Sequence, residues 1–520
     1  MQSRSDGRRG WPIVAAMLSL AAASWFAPGV GAAAPADPVP SRIRVEIHQL
    51  TQAQIDAFRA GVAKMQSRPL LDPNSWLYQA NIHGFPNQEN DGNKVCPPTW
   101  NKGPLLAWQT CQHGDFFFLS WHRMYLYYFE RILQHAIREA LQEPTYQFTL
   151  PFWDYEKFHS MPKPFWDPQK GNPLYVSARA ANCNDQRDCV SAQDASASVA
   201  LSLIPSCNCP PGQSCTGCAA NLRPDQTFGG QFVPRPAHDN RQFGELEMQP
   251  HNAVHEVVGG DNGWMAYVEC AARDPIFWLH HANIDRLWQV WLNQGGRQDP
   301  LGSSEWMTRK FTFFDENRLP VVLTGCQILN MATQLDYKYE GVPVNNVQLC
   351  PTAAQAAVPA AAAAPAPAAK LLVASPTAEQ KLGSAPVSVD VAMPAEMLRH
   401  TADVAAGKAA GHLRLVVEGL KLLHPGAVYR VYLGLPAGTK PDPAGPYYVG
   451  NIALFGEGGE HGAEASRSFD VTAKVRALIS QGRWSGPLHV TIVRGNPGGA
   501  GAPKEPEAFV RFTRVKLIEH

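Results

Sequence analysis

From Pro351 to Ala369 every residue is alanine or proline except Thr352, Gln355 and Val358. Such a stretch has too little apolar variety to build a core, and its prolines favour extended backbone, so it reads as a semi-rigid linker. Whatever this chain folds into is therefore built as two parts, one on each side of the tract. Its 520 residues suffice for about three average domains, or for one large domain with an appendage. Hydrophobic residues make up 45% of the chain, enough for a large core and too many for wholesale disorder. Lysine plus arginine and aspartate plus glutamate each number 45, so the net charge is zero. That balance argues against a chain built to grip nucleic acid or an anionic membrane.

Residues 1–36 read as an export signal. Arg4, Arg8 and Arg9 form a basic start, Trp11 to Val30 is mostly apolar, and Gly31 to Ala36 offers small-residue cleavage sites. The competing reading is a membrane anchor, which Pro12, Pro28 and the Ala/Gly content weaken. Arg8-Arg9-Gly10-Trp11 is similar to a twin-arginine signal, a route that exports folded, cofactor-loaded proteins. The expectation is a periplasmic or secreted protein with no stable membrane anchor after processing, in a compartment where disulfides persist. Eleven cysteines, an odd number, then need a chemical account.

Residues 37–350 are dense in Trp, His and Phe. Ser120 to Leu141 fits an amphipathic helix with Trp121, Tyr125, Tyr128, Phe129 and Ile132 at core spacing. Pro250 to Val258 and Pro275 to Leu292 read as two more, each with proline near the start, where its missing N–H costs nothing. This predicts a mainly α domain whose helices bundle around the histidines. Residues 370–520 instead hold short β-rich runs, among them Leu413 to Val417, Tyr429 to Leu433 and His489 to Val493. Gly/Pro turns separate them, which predicts an all-β sandwich.

Three segments carry the chemistry: Cys111 to Arg123, Pro250 to His255, and Asp274 to Trp288. His251 and His255 are four apart, neighbours on one helical face, so two imidazoles can meet one ion. Alone, such a pair is often an accident of surface or core. It also lacks the glutamate of the zinc-protease motif, because Asn252 follows His251. His113 and His122 are joined by an almost wholly apolar run, as if both approached a dry pocket. His281 lies among aromatics, and Asp285 stands one turn on, placed to hold the helix or a ligand ring. Many neutral imidazoles without a carboxylate set suit copper better than calcium or magnesium, and disfavour a zinc hydrolase.

These segments resemble the two copper motifs of the tyrosinase and polyphenol oxidase family, which mollusc-type hemocyanins share. The resemblance spans roughly residues 41–345, from Arg44-Val45-Glu46-Ile47 to a closing Tyr337-Lys338-Tyr339. It implies a binuclear centre of two copper ions, three histidines each, with dioxygen as co-substrate and small phenols as substrates. His113 and His122 match the second and third ligands of copper A, and His251, His255 and His281 those of copper B. Of the adjacent His280 and His281, the family pattern places the ligand at the second, leaving His280 to packing or to supporting the ligands from behind. His83, 30 positions before His113, is the candidate for the first copper A ligand, whereas His48 stands too near the start of the domain.

The resemblance also implies helpers. A glutamate and an asparagine around the first copper B histidine hold a basic water in the family, and Glu247 and Asn252 occupy those places. Otherwise Glu247 only caps the following helix. Glu256 departs from the family's apolar choice, so it is either an acid at the pocket mouth favouring amine-bearing phenols or a solvated helix charge. Cys111, two residues before His113, matches the cysteine that fungal members link to that ring as a thioether; the alternative is a disulfide, for example with Cys96. Committing Cys111 to His113 leaves ten cysteines, six of them (Cys183, Cys189, Cys207, Cys209, Cys215, Cys218) crowded in one segment as disulfide staples or a zinc cluster. Residues 370–520 weakly resemble the β domain that covers the copper pocket in latent plant relatives, and Tyr447, Tyr448 and Phe455 are the candidate placeholders. The implied activity is ortho-hydroxylation of monophenols with oxidation of o-diphenols to o-quinones. The alternatives are a catechol oxidase limited to diphenols and a hemocyanin-like oxygen carrier.

Overall fold

The computed structural model describes residues 41–86, 95–98, 100, 102, 104–114, 117–202, 244–294, 297, 299, 304–344, 350, 370–455, 465–484, 486–495 and 508–519. The export signal, the Ala/Pro tract and Cys207, Cys209, Cys215 and Cys218 lie outside them.

Among the described residues, five helices of seven or more residues frame the first part: α1 (Gln52–Gln66), α2 (Trp76–His83), α3 (Phe118–Leu141), α4 (Ala253–Gly259) and α5 (Ile276–Leu292). Thr51 opens α1 with a capping box to Gln54, and Ser75 caps α2 by accepting from the Tyr78 amide. Along α3, Trp121, Tyr125, Phe129, Ile132, Leu133 and Ala136 recur at helical spacing and are all buried, while Tyr128 is partly exposed. Each fully buried Leu, Ile or Phe adds roughly 1.5–3 kcal/mol. Helix α5 is buried almost all round, so it is the central rod, and Phe129 of α3 stacks on its Trp278 with centroids 3.3 Å apart.

One buried polar knot joins the ends of this part. Strand β1 (Arg42–Arg44) pairs in parallel with β4 (Tyr337–Tyr339), while β2 (Phe311–Phe314) and β3 (Pro320–Leu323) form a separate hairpin. Asp285 of α5 accepts from Arg123 of α3 at 2.6 Å and from the hydroxyls of Tyr337 and Tyr339 at 2.6 and 2.8 Å. Arg44 bonds Glu130 of α3 at 2.7 Å. The helices bearing His122 and His281 are thus fixed to each other through a buried network of opposite charges and tyrosine hydroxyls.

The second part is β-rich, as expected, with two helices added. A four-stranded sheet runs β10-β9-β12-β7 and a six-stranded one β5-β14-β8-β13-β6, with β11 paired to β8. Their strands are β5 (Lys370–Ala374), β6 (Gln380–Leu382), β7 (Val387–Val391), β8 (Leu413–Leu422), β9 (Tyr429–Leu433), β10 (Tyr448–Ile452), β11 (Ala465–Asp470), β12 (Leu488–Arg494), β13 (Val510–Phe512) and β14 (Arg514–Glu519). Helices α6 (Ala395–Ala405) and α7 (Thr472–Ser480) pack on each other and depart from an all-β layout. Its core is separate from that of the helical part, except that Val428, Ala453 and Phe455 are buried in the helical core.

Candidate metal centre

Each histidine is aimed by a local device. His83 ends α2, and a side chain on the following Gly84 would place Cβ 2.3 Å from the carbonyl oxygen of Val268. Glycine therefore permits the approach by which Val268 O accepts from His83 Nδ1 at 3.0 Å. The Cys96–Cys270 disulfide ties down the same segment, so Cys96 is not the partner of Cys111. His122 donates from Nδ1 to Phe118 O one turn back at 2.7 Å, and His255 to Met265 O at 2.7 Å. His251 closes a wide turn (Glu247–Asn252) just before α4, rather than lying inside a regular helix, and its Nδ1 meets Asn252 Oδ1 at 2.8 Å.

A hydrogen bond at Nδ1 leaves Nε2 as the lone-pair atom. Nε2 of His83 and of His251 are buried without a hydrogen-bond partner, and those of His255 and His281 face each other at 3.3 Å. His255 Nε2 is a lone-pair atom by its Nδ1 bond, and the His281 ring nitrogen facing it is within reach of the same cation. Burial pushes His83 down to about 4 and His251 to about 3, and holds His122, His255, His280 and His281 well below the usual imidazole range. These rings are neutral at pH 7, the form that binds metal.

The donors fall into two groups, each within 4.8 Å: His83, Cys111, His113 and His122, then His251, His255, His280 and His281. The groups meet where His122 stacks on His281, centroids 4.2 Å apart. His280 is the addition to the expected set. It stacks on His251 at 5.3 Å and lies 5.6 Å from Tyr155, with both ring nitrogens unpartnered, whereas His281 stands between the groups. No carboxylate joins either group among the described residues. Seven imidazoles and one thiol, with no carboxylate, are a donor set that fits a pair of copper ions.

The other expected residues are placed as follows. Glu247 is buried and its Oε1 accepts from the Gly114 amide at 2.8 Å, which anchors the loop after His113. Cys111 carries no disulfide; its Sγ lies 3.6 and 3.8 Å from Nδ1 and Nε2 of His113, and 3.3 Å from Nε2 of His122. Of the crowded cysteines, Cys183 and Cys189 pair with each other. Glu256 faces no solvent: it is fully buried, its carboxylate accepts from the Gly426 amide, and burial pushes it up to about 8. Gly426 is itself required, because a Cβ there would stand 2.4 Å from Gly260 O and its φ is +96°.

Phe455 of the β-rich part lies flat on His255, centroids 3.7 Å apart and planes 11° off parallel, with His113 and His251 at 5.4 and 5.6 Å. Tyr448 instead bonds Asn451 and Tyr447 packs within its own part. The seam around Phe455 was not foreseen in the sequence. There Arg467 forks onto Glu245, Arg494 meets Asp261 at 2.8 Å, and Asn451 donates to Asp194 at 3.0 Å. No pattern of spacing marks such partners, since each lies more than 200 positions away.

Three sequence matches cover most of the chain: the common central domain of tyrosinase at residues 73–294, the polyphenol oxidase middle domain at 301–352, and a domain of unknown function at 369–506. Tyrosinase HcTyr1 of Hahella sp. (strain CCB-MM4) is 36% identical over 299 residues, 54% of this chain and 59% of that protein. The latent form of polyphenol oxidase from Prunus armeniaca is 28% identical, over 61% of this chain and 51% of its own length. The chain thus spans between half and three-fifths of these relatives. In fold it is similar to latent apple tyrosinase, at TM-score 0.58 and 23% identity, over 94% of this chain and 98% of the other. Two histidine groups, a tyrosinase central domain and a polyphenol oxidase middle domain in one chain make it a member of the tyrosinase and polyphenol oxidase family.

Proposed function

We propose that this protein is a tyrosinase that hydroxylates monophenols ortho to the hydroxyl and oxidises o-diphenols to o-quinones, and that residues 370–520 hold it latent. The observation that carries the reading is the meeting of two neutral, buried imidazole groups at His122 and His281. His83, His113 and His122 would hold one copper and His251, His255 and His281 the other, with Cys111 linked to His113 as a restraining thioether. Bound copper supplies dioxygen binding and electron transfer. The chain's own residues exclude water, orient the phenol against His255 in the volume that Phe455 fills, and take up its proton. In this reading Glu247 and Asn252 position the water that accepts the phenolic proton.

The solved structure of similar fold that covers 94% of this chain is described as latent, which supports a covering role, and the stack of Phe455 on His255 supports that ring as the placeholder. Glu256 becomes an acid of the substrate pocket only once the cover leaves. Export through residues 1–36 fits the disulfides, and no helix among the described residues is long and apolar enough to cross a membrane. A catechol oxidase is the second reading, favoured by the fact that Asn252's amide hydrogens already have protein partners. Asn252→Leu in the copper-loaded, uncovered protein separates the two. The tyrosinase reading expects p-cresol hydroxylation to fall at least about a hundredfold, the scale of a lost proton acceptor, with 4-methylcatechol oxidation falling far less. Equal losses would sink it.

A further inference from the structure

One contact in the seam serves neither the histidines nor the plugging ring. Asn252 is fully buried, and its Oδ1 is occupied by His251 Nδ1 at 2.8 Å. Its Nδ2 donates to the carbonyl oxygen of Ala453 at 3.0 Å and points at Met248 Sδ at 3.6 Å. A side-chain amide has two hydrogens, so both are taken, one of them by main chain from the β-rich part. Two residues further on, Phe455 covers His255. The segment after β10 therefore acts twice on one centre: a ring fills volume, and a carbonyl claims a donor.

We infer that Ala453 is a second stopper that is selective for one of the two reactions. Its carbonyl disables the amide needed to position the water for a monophenol, while a diphenol, which arrives with both oxygens in place, is stopped by the Phe455 ring alone. This rests on the reading of Asn252 as a water-positioning residue. It follows that emptying the ring's volume without undocking the segment yields an oxidase and not a hydroxylase. A carbonyl cannot be deleted by side-chain substitution, so the test separates plug from docking within the full-length, copper-loaded chain. Phe455→Ala and Phe455→Leu shrink the plug. The double variant Arg467→Ala, Arg494→Ala removes cations that meet Glu245 and Asp261 across the seam.

Docking is read by hydrogen exchange at the Gly426 amide, which donates to Glu256 across the same seam. With that amide as protected as in wild type, the Phe455 variants should oxidise 4-methylcatechol at least about tenfold faster, with p-cresol hydroxylation unchanged within about twofold. The double variant should lose protection and gain both activities, and any Phe455 variant that loses protection should behave like it. A Phe455 variant that gains both activities while protected, or gains neither, overturns the inference. If instead the undocked double variant oxidises the catechol but never hydroxylates p-cresol, the monophenolase reading is what fails.

Discussion

The histidine centre and the seam above it both bury polar groups, but they satisfy them in opposite ways. Around the centre, ring nitrogens end on main-chain carbonyls of the same part: Val268 for His83, Phe118 for His122 and Met265 for His255. Across the seam, charged side chains meet partners from the other part, as Arg467 does Glu245 and Arg494 does Asp261. A main-chain carbonyl built into the packed helical part cannot leave without local unfolding, whereas an ion pair between parts exchanges its partner for water when they separate. The centre is thus rigid by construction, and the cover is held by contacts that can be released without disturbing it.

The largest expected effect tests the rigid side. His251→Ala or His281→Ala should lower copper from two ions per chain towards one and cut phenol oxidation by at least about a thousandfold, since a lost ligand exceeds the ten- to hundredfold typical of an outer partner. Full copper content in either variant would break the ligand assignment. Stripping copper with a chelator should abolish activity and restore it on reloading, while α-helical circular dichroism stays unchanged, because the Asp285 knot and not the metal fixes the helices.

Asp285→Ala should lower stability by about 3–5 kcal/mol, because it leaves Arg123 and Arg44 buried beside a missing charge. Thermal unfolding would show this as a drop in the melting of the helical part. Arg467→Ala leaves Glu245 in the same predicament at the seam, but separation rehydrates it. The expected outcome is therefore gained activity with little change in the melting of the histidine part. If both variants melt alike, the contrast between the two regions is wrong.

The smallest effect is a pH dependence at the seam. Burial raises the Glu256 carboxyl from 4.5 to about 8, so its stabilising contribution is complete below about 4.5 and fades as pH climbs through 8. Wild type should lose Gly426 protection over that interval relative to Glu256→Gln. A wild type that gains protection as pH rises would reverse the sign.

What could be read in the sequence divides along the same line. Elements with strong local periodicity were legible: the long helix through His122 begins at Phe118 instead of Ser120, and the runs at Leu413, Tyr429 and Leu488 are strands. The gathering of the histidines into two groups was legible because residue type and spacing together mark such clusters, and Asp285 one turn after His281 announced a holding role. His280 in the second donor group was not, because adjacent helical residues point about 100° apart and spacing alone assigns only one to the centre. The seam was not legible either. Phe455 could be named only with two tyrosines, and Ala453 acts through a carbonyl that every residue carries. Helices α6 and α7 were missed beside strong β runs, where short amphipathic stretches leave little trace.

The most direct test of a rigid centre under a releasable cover is 4-methylcatechol turnover by copper-loaded, full-length chain, wild type against the Arg467→Ala, Arg494→Ala variant. The account predicts equal copper content and a rate at least about tenfold higher in the variant, the change that relief of a modest blocking free energy gives. Equal rates at equal copper content would contradict it.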